Sequence, residues 1–314
     1  MGRSIFLAAC LCVATALPLP VAAQAGGTLT ILEGEALVYR NLGRLQAAEG
    51  ARLAHGDIVE TGANTFAQIE LPDQSVLQLG PATSVMLDGS GAQRKTWVYF
   101  LEGWAKWTGP KKEPRPSAFE LRAPLFELPP HTGVVVLRAT PSEVTLFVER
   151  GPMRLAERQA RGPATAVTLQ SGEYYQRKGR TRGAVNPGAM QAFLSAMPRH
   201  FRDSLPSRLD KFADANVRLK ETGAFAYKDV EAWLKAEPAV RRQFVRRWRS
   251  KSNESAFRTA LIANLDAHPE WDPILFPEKY MPKETPAPTS QPTPSPAPRA
   301  APPANLATPQ PRPQ

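Results

Sequence analysis

The chain has 314 residues, of which 42% are hydrophobic, so it can bury a core and is not a wholly disordered polymer. Its formal net charge of +10 favours anionic partners such as phosphate groups and envelope polymers, and it says nothing about the fold. Both cysteines, Cys10 and Cys12, lie near the start. The rest of the chain therefore cannot form a disulfide, a thiolate metal site or a cysteine nucleophile.

The first 25 residues have the features of a cleaved secretory signal peptide. Arg3 gives a positive start, residues 5–19 are apolar, and small residues precede a cleavage point after Ala23 or Ala25. No other stretch reaches the roughly 18 apolar residues that span a bilayer. The sequence therefore predicts an exported protein that is not transmembrane. We expect it in the periplasm, with full secretion left open.

Residues 26–184 have the pattern of a β domain. Hydrophobic residues alternate with polar ones, and Gly, Pro and Asp interrupt the runs, as in proteins with many short strands. For example, Ala67, Ile69 and Leu71 share one face of a predicted strand, with Gln68 on the other. We predict short strands that form two packed layers or a short β-roll.

Residues 185–281 change to a helical pattern. We predict a helix over 187–197, Asp229 as the N-cap of a helix over 230–236, and Pro238 at the start of the next helix. These signals indicate a small α-helical module that follows the β domain.

Residues 282–314 consist mainly of Pro, Ala, Thr, Ser and Gln, and they cannot build a core. We predict a disordered Pro-rich tail, acting as a spacer or as a polyproline II ligand. The predicted fold class is thus a mainly β N-terminal domain, a small α-helical module and a disordered tail.

Three short motifs inside the β domain carry a family resemblance. Residues 53–62 read LAHGDIVETG, residues 71–75 read LPDQS, and residues 79–83 read LGPAT. In this order and spacing they resemble the FecR domain family. Members of that family read Leu-x-x-Gly-Asp-x-Val-x-Thr-Gly, then Leu-Pro-Asp-Gly-Ser, then Leu-Gly-Pro-x-Ser/Thr.

We interpret the motif residues as structural. Short polar and glycine residues at such positions form turns between strands. The predicted structural turn residues are Gly56, Asp57, Gly62, Pro72, Asp73, Gly80 and Pro81. Gln74 stands where the family has Gly, which costs about 1 kcal/mol if that position has positive φ.

The resemblance implies a binding or scaffold module in the cell envelope, with an unidentified envelope protein as partner. In well-known members, a FecR domain outside the inner membrane receives a signal from an outer-membrane receptor and passes it through a membrane span. Neither that span nor the cytoplasmic segment is recognised in this sequence. We therefore expect envelope binding, with envelope sensing as one role, and not that complete relay.

The sequence offers no catalytic set. The histidines His55, His131, His200 and His268 are far apart, and none has a second ligand at metal-site spacing. Asp57 and Glu60 are three apart on a predicted strand, so they point to opposite faces. We expect no enzyme activity, no cofactor and no metal. A glycan-acting enzyme with an unrecognised acid pair is the alternative.

Aromatic residues cluster around the Glu102–Gly103 turn. They are Trp97, Tyr99, Phe100, Trp104 and Trp107. Such a cluster could stack on sugar rings, but cross-strand packing in a hairpin gives the same pattern and is favoured.

A basic segment in the helical module is a candidate contact for an anionic partner. Val240, Phe244 and Trp248 form an apolar stripe, and cations occupy the other faces. The candidate residues are Arg241, Arg242, Arg246, Arg247, Arg249 and Lys251. This supports an alternative function: binding of peptidoglycan, another anionic envelope polymer or a lipid surface. Nucleic acid is not expected, because the protein is predicted to be exported.

Overall fold

The computed structural model describes residues 25–88, 96–110, 117–159, 162–179, 181–215 and 217–281. The predicted signal peptide, apart from Ala25, and the predicted Pro-rich tail lie outside these residues. Strands dominate the described chain up to residue 186, and helices follow. The predicted fold class, a mainly β domain followed by a small helical module, is confirmed.

The described strands form two sheets that share one long strand. In chain order they are β1 (Ala25–Glu33), β2 (Ala36–Arg40), β3 (Gly43–Gln46), β4 (Arg52–Ala54), β5 (Ile58–Thr61), β6 (Phe66–Glu70), β7 (Val76–Leu79), β8 (Ser84–Asp88), β9 (Thr96–Thr108), β10 (Phe119–Ala123), β11 (Phe126–Leu128), β12 (Val134–Ala139), β13 (Glu143–Arg150), β14 (Pro152–Glu157), β15 (Thr165–Gln170), β16 (Tyr174–Lys178), β17 (Ala184–Asn186) and β18 (Lys220–Ala224).

The first sheet has the strand order β4-β1-β6-β7-β9-β12-β13-β16-β17. The second has the order β18-β3-β2-β5-β8-β9-β10-β11-β14-β15, and β9 and β10 are its parallel pair. Strand β9 passes between the sheets at Gly103, whose φ is +101°. A Cβ there would lie 2.4 Å from the Cα of Thr83, so the position requires glycine.

The two sheets pack face to face around the main core, and their outer faces are covered as well. In the second sheet, Val59 and Val85 point into the main core, while Ile58 and Met86 point outward and are equally buried. Strands buried on both sides carry near-continuous hydrophobic runs, as β8 does.

A segment that we call the strap, residues 187–213, crosses the outer face of the first sheet. It contains helix α1 (Gln191–Ala196) and the 3-10 turns Arg199–Arg202 and Leu209–Phe212. Phe193 and Phe201 of the strap are buried with Val136 and Tyr174 of the sheet. The predicted helix over 187–197 is thus shorter than expected, and most of the strap is irregular because packing on the sheet determines its path.

The helical module proper covers the outer face of the second sheet. It contains α2 (Tyr227–Leu234), α3 (Pro238–Arg247), α4 (Ser255–Ala263) and α5 (Asp272–Leu275), with 3-10 turns at Arg249–Asn253, Leu265–Ala267, Pro269–Trp271 and Pro277–Lys279. Pro238 begins α3 as predicted. Asp229 was wrongly predicted as an N-cap: it lies within the first turn of α2, where its carboxylate accepts a hydrogen bond from the Ala226 N–H at 2.7 Å.

Candidate functional site

The Gly56–Asp57 turn is held by an ion pair whose carboxylate is buried. The Asp57 carboxylate is 1% exposed and accepts hydrogen bonds from Arg40 Nε at 2.9 Å and Nη2 at 2.6 Å. It also accepts the Ala54 N–H at 2.8 Å, which closes the turn. The hydrogen bond to Asp57 raises the pKa of Arg40. Asp57 lies just before β5, and its carboxylate joins the turn backbone at Ala54 to Arg40 of β2.

The same turn also contacts the helical module. Gly56 has a φ of +89°, and its carbonyl accepts a hydrogen bond from Arg247 Nη2 at 2.5 Å. The other guanidinium nitrogen lies 3.6 Å from the sulfur of Met86. Burial lowers the pKa of Arg247. A side chain at position 56 would need a strained backbone and would contact Arg247, so the motif glycine serves both the turn and the docking of α3.

A second polar contact joins the helical module to β5 and β8. The indole N–H of Trp233 is 2.9 Å from Ser84 Oγ and 3.3 Å from Glu60 Oε1. Burial raises the pKa of the Glu60 carboxyl, while hydrogen bonds from Tyr39, Ser84 and Trp233 oppose the rise. The sequence did not reveal this cluster, because its members come from four separate segments.

A third contact lies at the start of α3. Glu237 accepts a hydrogen bond from Tyr99 Oη at 3.1 Å and forms an ion pair with Arg158. Burial raises the pKa of Glu237, and Arg158 and Tyr99 oppose the rise. Together with Trp248, whose indole donates to the Asn41 carbonyl at 3.0 Å, these contacts fix the module to the second sheet.

Three cations of the basic segment point to solvent. Arg242, Arg246 and Arg249 are exposed, and their spacing of i, i+4, i+7 places them on one side of the helix and its continuation. The Arg242 side chain is 70% exposed, with Nε 3.6 Å from Glu270. We call these three residues the arginine face. Their contact with an anionic partner stays a prediction.

The other three predicted contact residues are engaged inside the protein, which corrects the expected surface. Arg241 pairs with Glu270 at 2.8 Å, and Arg247 binds the Gly56 turn as described. The side chain of Lys251 is 1% exposed, pairs with Glu254, and lies 5.0 Å from the ring centre of Phe225. These three charges thus have partners within the protein, and their contact with an anionic partner also stays a prediction.

The second motif forms a tight turn between β6 and β7. The Gln74 N–H donates to the Leu71 carbonyl at 2.9 Å, so Pro72 occupies the first central position of the turn. Asp73 Oδ1 accepts the Ser75 N–H at 2.9 Å, and Oδ2 accepts the Ser117 hydroxyl at 2.7 Å. Asp73 thus organises its own turn and ties it to the start of β10.

Replacing Gln74 with Gly is expected to raise the free energy of unfolding by about 1 kcal/mol, because Gln74 has a φ of +69° that Gly adopts without steric cost. Gln46→Gly is the control, since Gln46 lies in strand β3 with an ordinary φ and should lose about 1 kcal/mol. Chemical denaturation measures both. A loss of stability in Gln74→Gly would contradict the turn assignment.

The remaining motif residues connect strands close to the strap. The Gly62 N–H donates to the Glu35 carbonyl at 2.9 Å, and the Gly62 carbonyl accepts the Ala82 N–H at 3.0 Å. The Gly80 carbonyl accepts the Thr61 hydroxyl at 2.6 Å. Pro81 follows at the turn into β8. Gly62, Gly80 and Pro81 therefore lie in backbone connections, and none presents a reactive group.

The aromatic cluster is mainly part of the packing. Tyr99, Phe100 and Trp107 are at most 1% exposed, so they cannot stack on an external sugar ring. Trp97 lies beneath the Arg122 guanidinium, and Trp104 packs on Phe193 of the strap. The interpretation as structural packing therefore fits these contacts better than a sugar-binding platform.

The four histidines remain apart in the fold. Partial burial of His131 lowers its pKa to about 4, and His268 lies 3.1 Å from the Tyr227 hydroxyl. Among the residues that the structure describes, no group of three or more His, Cys, Asp and Glu side chains is placed to hold a metal ion. No helix in the same ranges has the length and apolar character to cross a bilayer.

A polar cleft of about 270 Å³ lies between the strap and the first sheet. Its buried cation, Lys106, pairs with Glu149 at 2.7 Å and donates a hydrogen bond to the Phe201 carbonyl. Gln78 on the neighbouring strand donates to Gln68 at 3.0 Å. The hydrogen bond from Lys106 to Phe201 therefore adds a polar contact to the apolar contacts that hold the strap on the sheet.

A family model described as FecR protein matches residues 57–154, from the Asp57 turn to strand β14. This part of the chain is a FecR domain. The resemblance predicted from the three motifs is thereby confirmed. The FecR domain supplies the bend in β9 and central strands of both sheets, while β1 to β4, β15 to β18, the strap and the helical module lie outside the matched residues.

Two crystal structures of a proposed anti-sigma factor from Parabacteroides distasonis ATCC 8503 are similar to this chain. Each has 16% sequence identity and a TM-score of 0.36, and each match covers 44% of this chain. The matches span 64% and 65% of those chains, less than two thirds of their length. Similarity of this extent does not carry a function across. No curated protein matches the sequence.

Proposed function

We propose that this protein is an exported, non-enzymatic binding or scaffold protein of the cell envelope, which holds another envelope protein and takes part in envelope signalling. The observation that carries the proposal is the FecR domain at residues 57–154. The signal-peptide pattern of residues 1–25 supports export to the periplasm.

The layer arrangement limits where a protein partner can bind. The strap covers much of the outer face of the first sheet, and the helical module covers much of that of the second. The interior faces form the main core. A partner of the FecR domain is therefore expected to contact strand edges or loops, since binding on a covered face would require displacement of the chain's own segments.

A second candidate function rests on the arginine face. The apolar stripe of α3 is buried against the second sheet, which leaves Arg242, Arg246 and Arg249 pointing away from the protein. Three guanidinium groups in a row suit phosphate or carboxylate groups of an anionic wall polymer or lipid surface. In this alternative the FecR domain is the scaffold that presents the arginine face.

In-cell crosslinking of the full-length tagged protein, followed by mass spectrometry, separates the two functions. Wild type is compared with Arg242→Glu/Arg246→Glu/Arg249→Glu. The control Lys178→Glu/Arg182→Glu/Arg218→Glu reverses three exposed cations elsewhere and changes the net charge equally. We expect one dominant envelope protein in all three samples, because the proposed contact uses the FecR domain.

If crosslinked wall or lipid fragments are lost only in the arginine-face variant, the helical module is the binding part of the protein. Absence of any specific envelope protein from wild type would contradict the main proposal. Point variants are preferable to a chain ending at Gly183, because such a truncation would expose the sheet faces that Phe201, Trp233 and Phe244 now cover.

A further inference from the structure

Each of the two sheets ends in two edge strands, and three of these four edges carry protective features. An unprotected edge offers a row of free N–H and C=O groups to another chain, so edges are usually short, charged or irregular. Strands β4 and β17 have only three residues each. Strand β18 contains Lys220 and Glu221, and its pairing with β3 is interrupted between Glu221 and Gly223.

Strand β15 is the exception. Its sequence, TAVTLQ, has no charged residue and no proline, and its six residues pair with β14 in unbroken register. Only Leu169 is buried, and the others are exposed or half-buried. Within the residues that the structure describes, β15 has a ladder partner on one side alone, β14. It is the longest regular edge of the two sheets.

We infer that β15 forms an antiparallel pair with β15 of a second copy of this chain. This pairing joins the second sheets of the two copies into one continuous sheet. Val167 and Leu169 pack against the main core, while Ala166 and Thr168 point to the other side. A two-fold axis at Val167 places Val167 opposite its own copy and Thr165 opposite Leu169. Ala166 then lies opposite Thr168, and every residue keeps its face of the sheet.

Charge and composition favour a second copy as the occupant. Two chains of net charge +10 repel each other, and a neutral strand is where two such chains can pair without placing like charges opposite one another. The chain's own tail is a poor occupant, because residues 282–314 contain no six consecutive residues without proline. Proline supplies no N–H to a ladder.

Sedimentation of the full-length mature protein tests the inference with a charge-swap pair. Wild type should sediment as a dimer. Ala166→Lys/Thr168→Lys and Ala166→Glu/Thr168→Glu should each sediment as one chain, because like charges then face each other across the axis. An equimolar mixture of the Lys and Glu variants should form dimers again, since Lys of one chain then faces Glu of the other. A misfolded variant would not recover dimer formation in this way.

The control is Val185→Lys, which places a cation on the edge strand β17 of the other sheet and should leave the two-chain species intact. Wild type that sediments as one chain at all concentrations would overturn the inference. Variants that stay paired without mixing would overturn it as well. Neither outcome decides the proposed function, because an envelope protein can contact the loops of the FecR domain whether or not β15 pairs with a second copy.

Discussion

Replacing Trp233 with Ala is expected to lower the free energy of unfolding by about 4 kcal/mol, the largest loss we expect from a single substitution. The Trp233 side chain is fully buried between α2 and the second sheet, and its ring packs 6.0 Å from that of Tyr99. Removal leaves a cavity and deprives the half-buried Glu60 and the buried Ser84 of a hydrogen-bond donor. Chemical denaturation followed by circular dichroism measures the loss.

Trp233→Phe separates the ring from its N–H group. The phenyl ring keeps most of the packing and lacks the donor, so this variant should lose about 1–2 kcal/mol. In calorimetry the Ala variant should melt roughly 8–16 °C below wild type, given the size of the described chain. A loss under 1 kcal/mol for Trp233→Ala would mean that the helical module is not docked through α2.

Asp57→Ala is expected to lower the free energy of unfolding by about 3 kcal/mol. The carboxylate is buried, and its loss leaves the Arg40 guanidinium and the Ala54 N–H without their acceptor. The Arg40 side chain is 33% exposed, so water can partly replace the lost carboxylate. The expected loss is therefore at the lower end of the range for breaking a buried ion pair. The midpoint of urea denaturation measures this effect.

Glu231→Ala is the matched control for Asp57→Ala. Glu231 also pairs with a cation, Lys235, but both side chains are more than one third exposed. Water and salt screen such a pair, so the control should change the free energy of unfolding by less than about 0.5 kcal/mol. Equal effects of the two substitutions would show that the Asp57 pair does not organise the motif turn.

The sequence was most informative where structure depends on near neighbours. Alternating hydrophobicity predicted the β domain, Pro238 predicted the start of α3, and the order of three motifs predicted the FecR domain. It also singled out Gln74 as a position at which a positive φ would be costly. All of these signals lie within a few residues of the feature that they specify.

Features that depend on distant segments were not visible. Residues 187–197 of the strap were predicted as one helix that begins at Pro187, although the path of the strap follows the contacts of Phe201 with the first sheet. Arg247 and Lys251 looked like surface cations because their partners, the Gly56 carbonyl and the Phe225 ring, lie at least 26 residues away in the chain. Polar side chains that a tertiary contact buries have no local signature.

Cell fractionation with N-terminal sequencing measures whether the protein is exported to the envelope. The protein is released from cells by osmotic shock, with a cytoplasmic enzyme as the leakage marker. We expect a periplasmic chain that begins at Gln24 or Gly26, because cleavage is predicted after Ala23 or Ala25. A chain that retains Met1 and stays with the cytoplasmic marker would contradict export, and with it the proposed envelope partner.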